Sequence, residues 1–281
     1  MTETITGKTK IYCIIGYPVE HSISPRMHNA VFAALNMDAR FVAFSVNPDQ
    51  LGEAIVGLRA LNVAGINVTV PHKSSVIPYL DEITPLAKKI GAVNTIRNEQ
   101  GLLIGTNTDI SGFIRSLENL NFSPENKSIA LLGAGGAARA LVAGLADAGA
   151  SRILIHNRTV EHAESLLTEF SPIFPQTQLE SVTVETLQAT TLDLLVNTTT
   201  VGMESGESPL DLSQCQEIEH LADIIYSPVQ TTLLKQAEEL GIPAINGSGM
   251  LLYQGCGAFT FWTGKQAPET VMQEQLLGWK E

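Results

Sequence analysis

The chain has 281 residues, 44% hydrophobic and 16% charged, with 17 basic against 29 acidic side chains and a net charge of -12. That length suits two lobes better than one core, and an overall negative field repels phosphate, which argues against nucleic acid or an anionic membrane as partner. Cys13, Cys215 and Cys256 are far apart and odd in number, without the paired spacing of a zinc site. They read as small core residues in a reducing compartment. No apolar run follows the first charged residues, and the longest apolar stretch, 129–150, contains Arg139 and Asp147. Neither a signal peptide nor a membrane span is expected, and the chain reads as cytoplasmic.

Residues 11–15 read as a short buried strand closed by Gly16 and Pro18. A helix is expected over 25–35, with Ser24 as N-cap and Pro25 in its first position. Strands follow at 41–46 and 65–70, around a helix at 51–61. A helical segment after Thr84-Pro85 leads to a hairpin of 92–96 with 102–105. Strands alternating with helices imply a mostly parallel α/β lobe. Residues 110–120 look like a connecting helix, and the turn-rich stretch 121–127 is the best break. Beyond it come a strand at 128–132, a glycine turn, a long Ala/Leu helix to Ala148 and a strand at 152–156, a complete βαβ unit. Further strands are expected at 192–197, 221–225 and 243–246, with helices over 250–264 and 269–277. The resulting reading has three parts: residues 1–114, 115–248 and 249–281.

Gly133-Ala134-Gly135-Gly136-Ala137-Ala138 follows an expected strand and opens an expected helix, giving G-x-G-x-x-A. Gly133 permits the tight turn, Gly135 admits a pyrophosphate close to the backbone, and Ala138 lets helix and strand pack closely. The N–H groups of 133–137 and the positive end of the helix then hold phosphates. The next strand ends in Asn157-Arg158-Thr159, where an NAD enzyme usually carries Asp or Glu for the ribose 2′-hydroxyl. Arg158 instead suits a 2′-phosphate, so NADP is favoured over NAD; the alternative is a solvated surface cation. His162, one turn along the next helix, is a further donor.

The polar motifs are denser than a scaffold needs. They run Gly16-Tyr17-Pro18-Val19-Glu20-His21-Ser22-Ile23-Ser24-Pro25-Arg26-Met27-His28-Asn29, Asn67-Val68-Thr69-Val70-Pro71-His72-Lys73, Ala92-Val93-Asn94-Thr95 and Gly105-Thr106-Asn107-Thr108-Asp109. Asn157-Arg158-Thr159, 197–203, Tyr226-Ser227-Pro228 and Gly249-Met250-Leu251 through Gln254 complete the series. In order and spacing, from about residue 11 to 264, this set resembles the shikimate dehydrogenase family. A carbonyl receiving hydride develops alkoxide character, which an ammonium stabilises and protonates; a carboxylate beside Lys73 favours its charged form while desolvation opposes it. Taken alone, Lys73 and Asp109 are as well read as surface charges.

The resemblance implies an α/β protein of two lobes with a cleft that closes on its ligands. The N-terminal lobe is then the substrate domain, followed by a Rossmann-type doubly wound NADP-binding domain and by C-terminal helices that return to the first lobe. It implies reduction of 3-dehydroshikimate to shikimate with NADPH, in the biosynthesis of aromatic amino acids through chorismate. Lys73 and Asp109 form the catalytic pair. Ser22 and Ser24, with Tyr226, bind the substrate carboxylate, and Asn67, Thr69, Asn94, Asp109 and Gln254 meet ring hydroxyls. Asn157, Thr159, Thr198, Gly247 and Met250 join the glycine turn and Arg158 at the cofactor. Met250 is otherwise core packing, Ser24 a helix cap, and Asn67 and Asn94 turn residues; His21, His28 and His72 read as structural support. No metal is expected, and the assembly is a monomer or homodimer. The rival readings are a quinate or dual quinate/shikimate enzyme, NAD use, a folate-linked methylene dehydrogenase disfavoured by Ser22 and Ser24, and a non-catalytic nucleotide-sensing regulator disfavoured by Lys73 and Asp109.

Overall fold

Apolar runs closed by turn residues become strands, and the computed structural model describes residues 4–277. Positions 1–3, from the segment searched for a leader, and 278–281, grouped above with the C-terminal helices, lie outside the described residues. One compact unit comprises the chain up to Asp109 together with the chain from Leu252 onward, and a second comprises Ile110–Leu251. No helix among the described residues is long and apolar enough to cross a membrane.

The first unit runs β1 (Lys10–Gly16), α1 (Ser24–Ala34), β2 (Ala39–Ser45), α2 (Leu51–Ala60), β3 (Gly65–Val68), β4 (Glu82–Ile83), α3 (Pro85–Ile90), β5 (Thr95–Glu99) and β6 (Leu102–Thr106); α4 (Asp109–Ser116) follows. Its sheet has the order β2-β1-β3-β5-β6-β4. β1 is parallel to β2 and β3, whereas β5 is antiparallel to both its neighbours. The sheet is therefore mixed, because the short turn between β5 and β6 can join only antiparallel strands. Asn98 Oδ1 accepts the Gly101 N–H at 2.8 Å and closes that turn.

The start of α1 differs from expectation. Ser24 is its first residue, Ile23 occupies the N-cap with helical backbone angles, and no side chain caps the end. The oxygen that serves this turn belongs to Ser22, whose Oγ accepts the Ser24 N–H at 3.3 Å. By contrast Thr84 caps α3 through the Ala87 N–H as a β-region N-cap should.

The second unit runs β7 (Ser128–Leu132), α5 (Gly136–Asp147), β8 (Arg152–His156), α6 (Val160–Phe170), β9 (Gln178–Ser181), α7 (Val184–Gln188), β10 (Leu194–Asn197), β11 (Leu221–Asp223), α8 (Thr232–Glu239) and β12 (Ala244–Ile245). All pairings are parallel, in the order β9-β8-β7-β10-β11-β12. β7, β8 and β10 are apolar almost throughout, as strands covered on both faces must be. Counted from β7, the order is 3-2-1-4-5-6, the doubly wound arrangement, and its direction reverses between β7 and β10. The 121–127 turn lies inside this unit, just before β7.

The chain ends in α9 (Ser248–Thr263) and α10 (Glu269–Leu277), whose residues from Leu252 on belong to the first unit. Trp262 Nε1 donates to the Ile96 carbonyl at 2.9 Å, and Arg26 Nε donates to Gln275 Oε1 at 2.9 Å. Trp262 joins Tyr12, Phe32, Phe41 and Phe259 in an aromatic cluster that also encloses His28, stacked on Phe41 at 4.6 Å.

His28 is 1% exposed, and its Nδ1 has no partner among the described residues. Burial pushes its imidazole down to about 3. The unfolded chain therefore takes up a proton below about pH 6.5 that the folded protein refuses, so stability is whole above that pH and falls as pH drops toward 3. By this linkage the single site removes about 2 kcal/mol between pH 7 and pH 5. Urea denaturation at both pH values is expected to show that loss in the wild type and a correspondingly smaller one in His28→Phe. Equal losses in the two proteins would refute the assignment.

Candidate active site

β3 ends, β5 begins and β6 ends at one edge of the first sheet, because Asn67 pairs with Thr95 and Thr95 with Thr106. The polar segments 67–73, 94–95 and 106–109 therefore converge there. Lys73 Nζ lies 2.8 Å from Asp109 Oδ2, with the lysine side chain 34% and the aspartate side chain 13% exposed. Each partner is anchored through its backbone. The Lys73 carbonyl accepts the Val93 N–H at 2.8 Å, and the Asp109 N–H donates to Asn107 Oδ1 at 3.0 Å.

Asn94 is the hub between these segments. Its Oδ1 accepts the Thr108 N–H at 2.7 Å and the Thr95 hydroxyl at 3.0 Å, and its Nδ2 donates to Thr108 Oγ1 at 3.0 Å. Asn67 Nδ2 donates to the Asn94 carbonyl and to Thr95 Oγ1, each at 3.2 Å. Thr69 is bound to β1 through its N–H and the Ile15 carbonyl at 2.9 Å. His72, fully buried, has Nε2 2.8 Å from the Val46 carbonyl. The structure thus brings together Lys73 with Asp109, Asn67 with Asn94, and Ser22 with Ser24. Gln254 is half-buried on the part of α9 that belongs to the same unit. Thr95, Asn107 and Thr108 do not stand out in the sequence, although each belongs to a quoted motif. The signal that could find them is the hairpin register, which sets Thr95 opposite Thr106.

In the second unit the residues after β7, β8, β10 and β11 line one crevice of about 470 Å³, formed by 133–137, Asn157, 198–200, Met203 and 224–226. It lies at the carboxyl ends of the strands, where strand order reverses and a doubly wound sheet binds its ligand. Gly133 has φ +105°, and a Cβ there would stand 2.8 Å from Thr198 Oγ1, so the turn admits only glycine. A Cβ on Gly135 would meet nothing within 4 Å, leaving the α5 N-terminus open. Ala138 behind it is fully buried. Asn157 Oδ1 accepts the Ala134 N–H at 3.1 Å, and its Nδ2 donates to the Thr159 carbonyl at 2.7 Å, bracing the turn against the end of β8. A pyrophosphate fits this open turn of N–H groups at a helix N-terminus.

Arg158 is exposed and has no hydrogen-bond or ion-pair partner among the described residues, whereas Arg139 and Arg152 of the same unit are paired with Glu169 and Glu180. His162 is exposed in the first turn of α6. Thr198 Oγ1 donates to the Leu132 carbonyl at 2.7 Å, so its hydroxyl proton serves the turn. Gly247 is pressed against backbone: a Cβ would fall 1.9 Å from the Ile224 carbonyl oxygen. Its N–H donates to the Ile225 carbonyl at 3.0 Å. Tyr226 lines the crevice of the second unit, while Met250 is half-buried near the start of α9.

These two glycines make opposite predictions. Gly135→Ala is expected to leave the melting temperature within about 2 °C of wild type and to weaken dinucleotide binding tenfold or more, because the methyl stands where a phosphate must approach. Gly247→Ala is expected to cost about 3 kcal/mol or more in thermal or urea denaturation, because backbone must move. A stable Gly247→Ala protein, or a Gly135→Ala protein that binds normally, would contradict these assignments.

Comparison with known proteins identifies the family of the chain. Residues 14–96 match the family model "Shikimate dehydrogenase substrate binding domain", 116–201 match "Shikimate / quinate 5-dehydrogenase", and 247–277 match "Shikimate 5'-dehydrogenase C-terminal domain". A shikimate dehydrogenase (NADP(+)) of Geobacter metallireducens is 46% identical, covering 97% of this chain and 98% of its own. The solved shikimate 5-dehydrogenase of Listeria monocytogenes, in complex with shikimate and NAD, superposes with a TM-score of 0.92 at 36% identity, over 98% of this chain and 99% of its own. That of Thermus thermophilus, in complex with NADP(H) and shikimate, gives 0.86 at 33% identity, over 95% and 98%. With this identity over nearly its whole length, the chain belongs to the shikimate dehydrogenase family.

Proposed function

We propose that this chain catalyses the reversible NADPH-dependent reduction of 3-dehydroshikimate to shikimate. The observation that carries the reading is the 2.8 Å pair of Lys73 and Asp109 at the polar edge of the first unit, in a family whose relatives are named for this activity and cofactor. The first unit holds the ring acid and the second the dinucleotide. NADP supplies the hydride when bound in its reduced form.

Lys73 carries the proton chemistry. Its ammonium stabilises the alkoxide that forms as hydride reaches the carbonyl carbon, and delivers a proton to that oxygen. Asp109 keeps Nζ directed and accepts from a ring hydroxyl. Asn67 keeps its Oδ1, and Asn94 one N–H of Nδ2, for neighbouring hydroxyls, with Thr69 and Gln254, and Ser22 and Ser24 hold the carboxylate. Tyr226 belongs to this carboxylate set by resemblance, while its place in the crevice supports a contact with the dinucleotide as well. Arg158 grips the 2′-phosphate, for which an exposed guanidinium with no partner among the described residues is suited.

A second reading, that quinate or NAD is also accepted, is favoured by the shikimate/quinate family model and by the NAD in the Listeria relative. Initial rates at the reduced-nicotinamide absorbance band, with two acids against two cofactors, decide between them. Shikimate with NADP is expected to give the highest kcat/KM; no turnover with any pair would overturn the proposed activity.

Lys73→Ala is expected to lower kcat by two to four orders of magnitude, the usual worth of a positioned acid or base, while shikimate binding measured by calorimetry stays within a few-fold. Turnover that survives the substitution would remove Lys73 from the proton step. Arg158→Ala is expected to raise KM for NADP by about 10- to 100-fold, the equivalent of one lost charge-assisted contact of about 1.5–3 kcal/mol. KM for NAD should hardly change. Equal effects on both cofactors would show that Arg158 does not read the phosphate.

A further inference from the structure

Asp223 ends β11 with its side chain 1% exposed. Three groups donate to its carboxylate: Asn197 Nδ2 at 3.0 Å and the Ile225 N–H at 3.1 Å to Oδ1, and Thr231 Oγ1 at 2.7 Å to Oδ2. Burial raises this carboxyl above the usual carboxylate range, and the three donors offset only part of that rise. Thr231 also accepts the Leu234 N–H and caps α8, so the positive end of that helix lies behind the hydroxyl and favours the ionised form. Among the described residues Asp223 has no cationic partner. A buried carboxylate without a counter-charge is costly, and such groups are normally paired.

Its position suggests where the counter-charge comes from. Asn197 precedes 198–200 and Asp223 precedes 224–226, and both following segments line the crevice. A doubly wound sheet binds a dinucleotide with one mononucleotide on each half. Arg158, at the end of β8, marks the half that takes the phosphorylated adenosine. The half built from β10, β11 and β12 then takes the nicotinamide, which is cationic when oxidised and neutral when reduced.

We propose that the Asp223 carboxylate makes this half of the crevice prefer the oxidised, positively charged nicotinamide over the reduced ring, and thereby assists hydride donation, during which the ring becomes positive. The proposal rests on the cofactor reading above. At an effective dielectric of about 20, two unit charges about 12 Å apart interact strongly enough to change a dissociation constant roughly tenfold.

The test is the dissociation constant of NADP and of NADPH, each measured by calorimetry or nucleotide fluorescence, for the wild type and Asp223→Asn. The asparagine amide can keep every bond: its oxygen still accepts from Asn197 and Ile225, and its NH₂ donates to the Thr231 hydroxyl once that rotates. NADP binding is expected to weaken by about 5- to 10-fold, with NADPH within about twofold of wild type. Equal weakening of both forms would mean that Asp223 only shapes the loops, and would overturn the proposal. Thr231→Ser keeps the hydroxyl donor and the charge, so it must keep the wild-type ratio; a lost ratio in that variant would also overturn it. If the wild type bound neither form, the cofactor reading would fall and this proposal with it.

Discussion

Lys73 and Asp109 are 36 positions apart along the chain, and the 2.8 Å contact between them depends on where three strands end. β3 delivers the segment that leads to Lys73, β6 delivers Asp109, and β5 runs between them in the opposite direction. A partly exposed ion pair of this kind contributes about 0–1 kcal/mol to folding, too little to hold two loops together. The holding falls to the amides. Asn94 spends both side-chain atoms on Thr95 and Thr108, and Asn67 donates into the same cluster. Each of these buried groups would cost about 1–3 kcal/mol if left without a partner. The neutral network therefore positions the charges.

The same division appears in the second unit. The residues nearest the open glycine turn are neutral: Asn157 and Thr198 direct their donors inward, to a backbone carbonyl each. Charge is kept at two places, Arg158 on the exposed side and Asp223 beneath the lining. Side chains that brace a turn can lose their freedom without harm, whereas a cation that meets a phosphate acts most strongly when no carboxylate already neutralises it. In the proposed reading Arg158, with no partner among the described residues, is of the second kind.

Much of this frame is legible in the residues. β7 and β8 begin and end where expected, because each is a short apolar run bounded by turn residues and buried on both faces. β9 gives no such signal, since Gln178-Leu179-Glu180-Ser181 is a partly exposed edge strand without an apolar pattern. β4 is two residues long and exists only through its pairing with β6. Serine before proline usually caps a helix, which is the reason for expecting Ser24 there, yet Ile23 holds the N-cap position and Ser22 Oγ accepts the Ser24 N–H. At the site, residue types and motif order point to Lys73, Asp109 and Arg158, whose chemistry resides in their own side chains. Thr95 and Thr108 escape such a reading because their importance is relational, arising only when the hairpin sets them against Asn94.

The net charge of -12 makes an anionic acid and a phosphorylated dinucleotide unexpected ligands at first sight. The difficulty is one of scale. At physiological ionic strength the screening length is about 8 Å, so most of the 29 carboxylates act only on their own neighbourhoods. Several of them are already engaged by lysine or arginine, as Asp193 is by Lys127 and Asp81 by Arg59. What a ligand meets at contact distance is different: the N–H groups of a helix start, the guanidinium of Arg158 and the ammonium of Lys73. Short-range donors can therefore hold a small anion even in a chain whose net charge is negative.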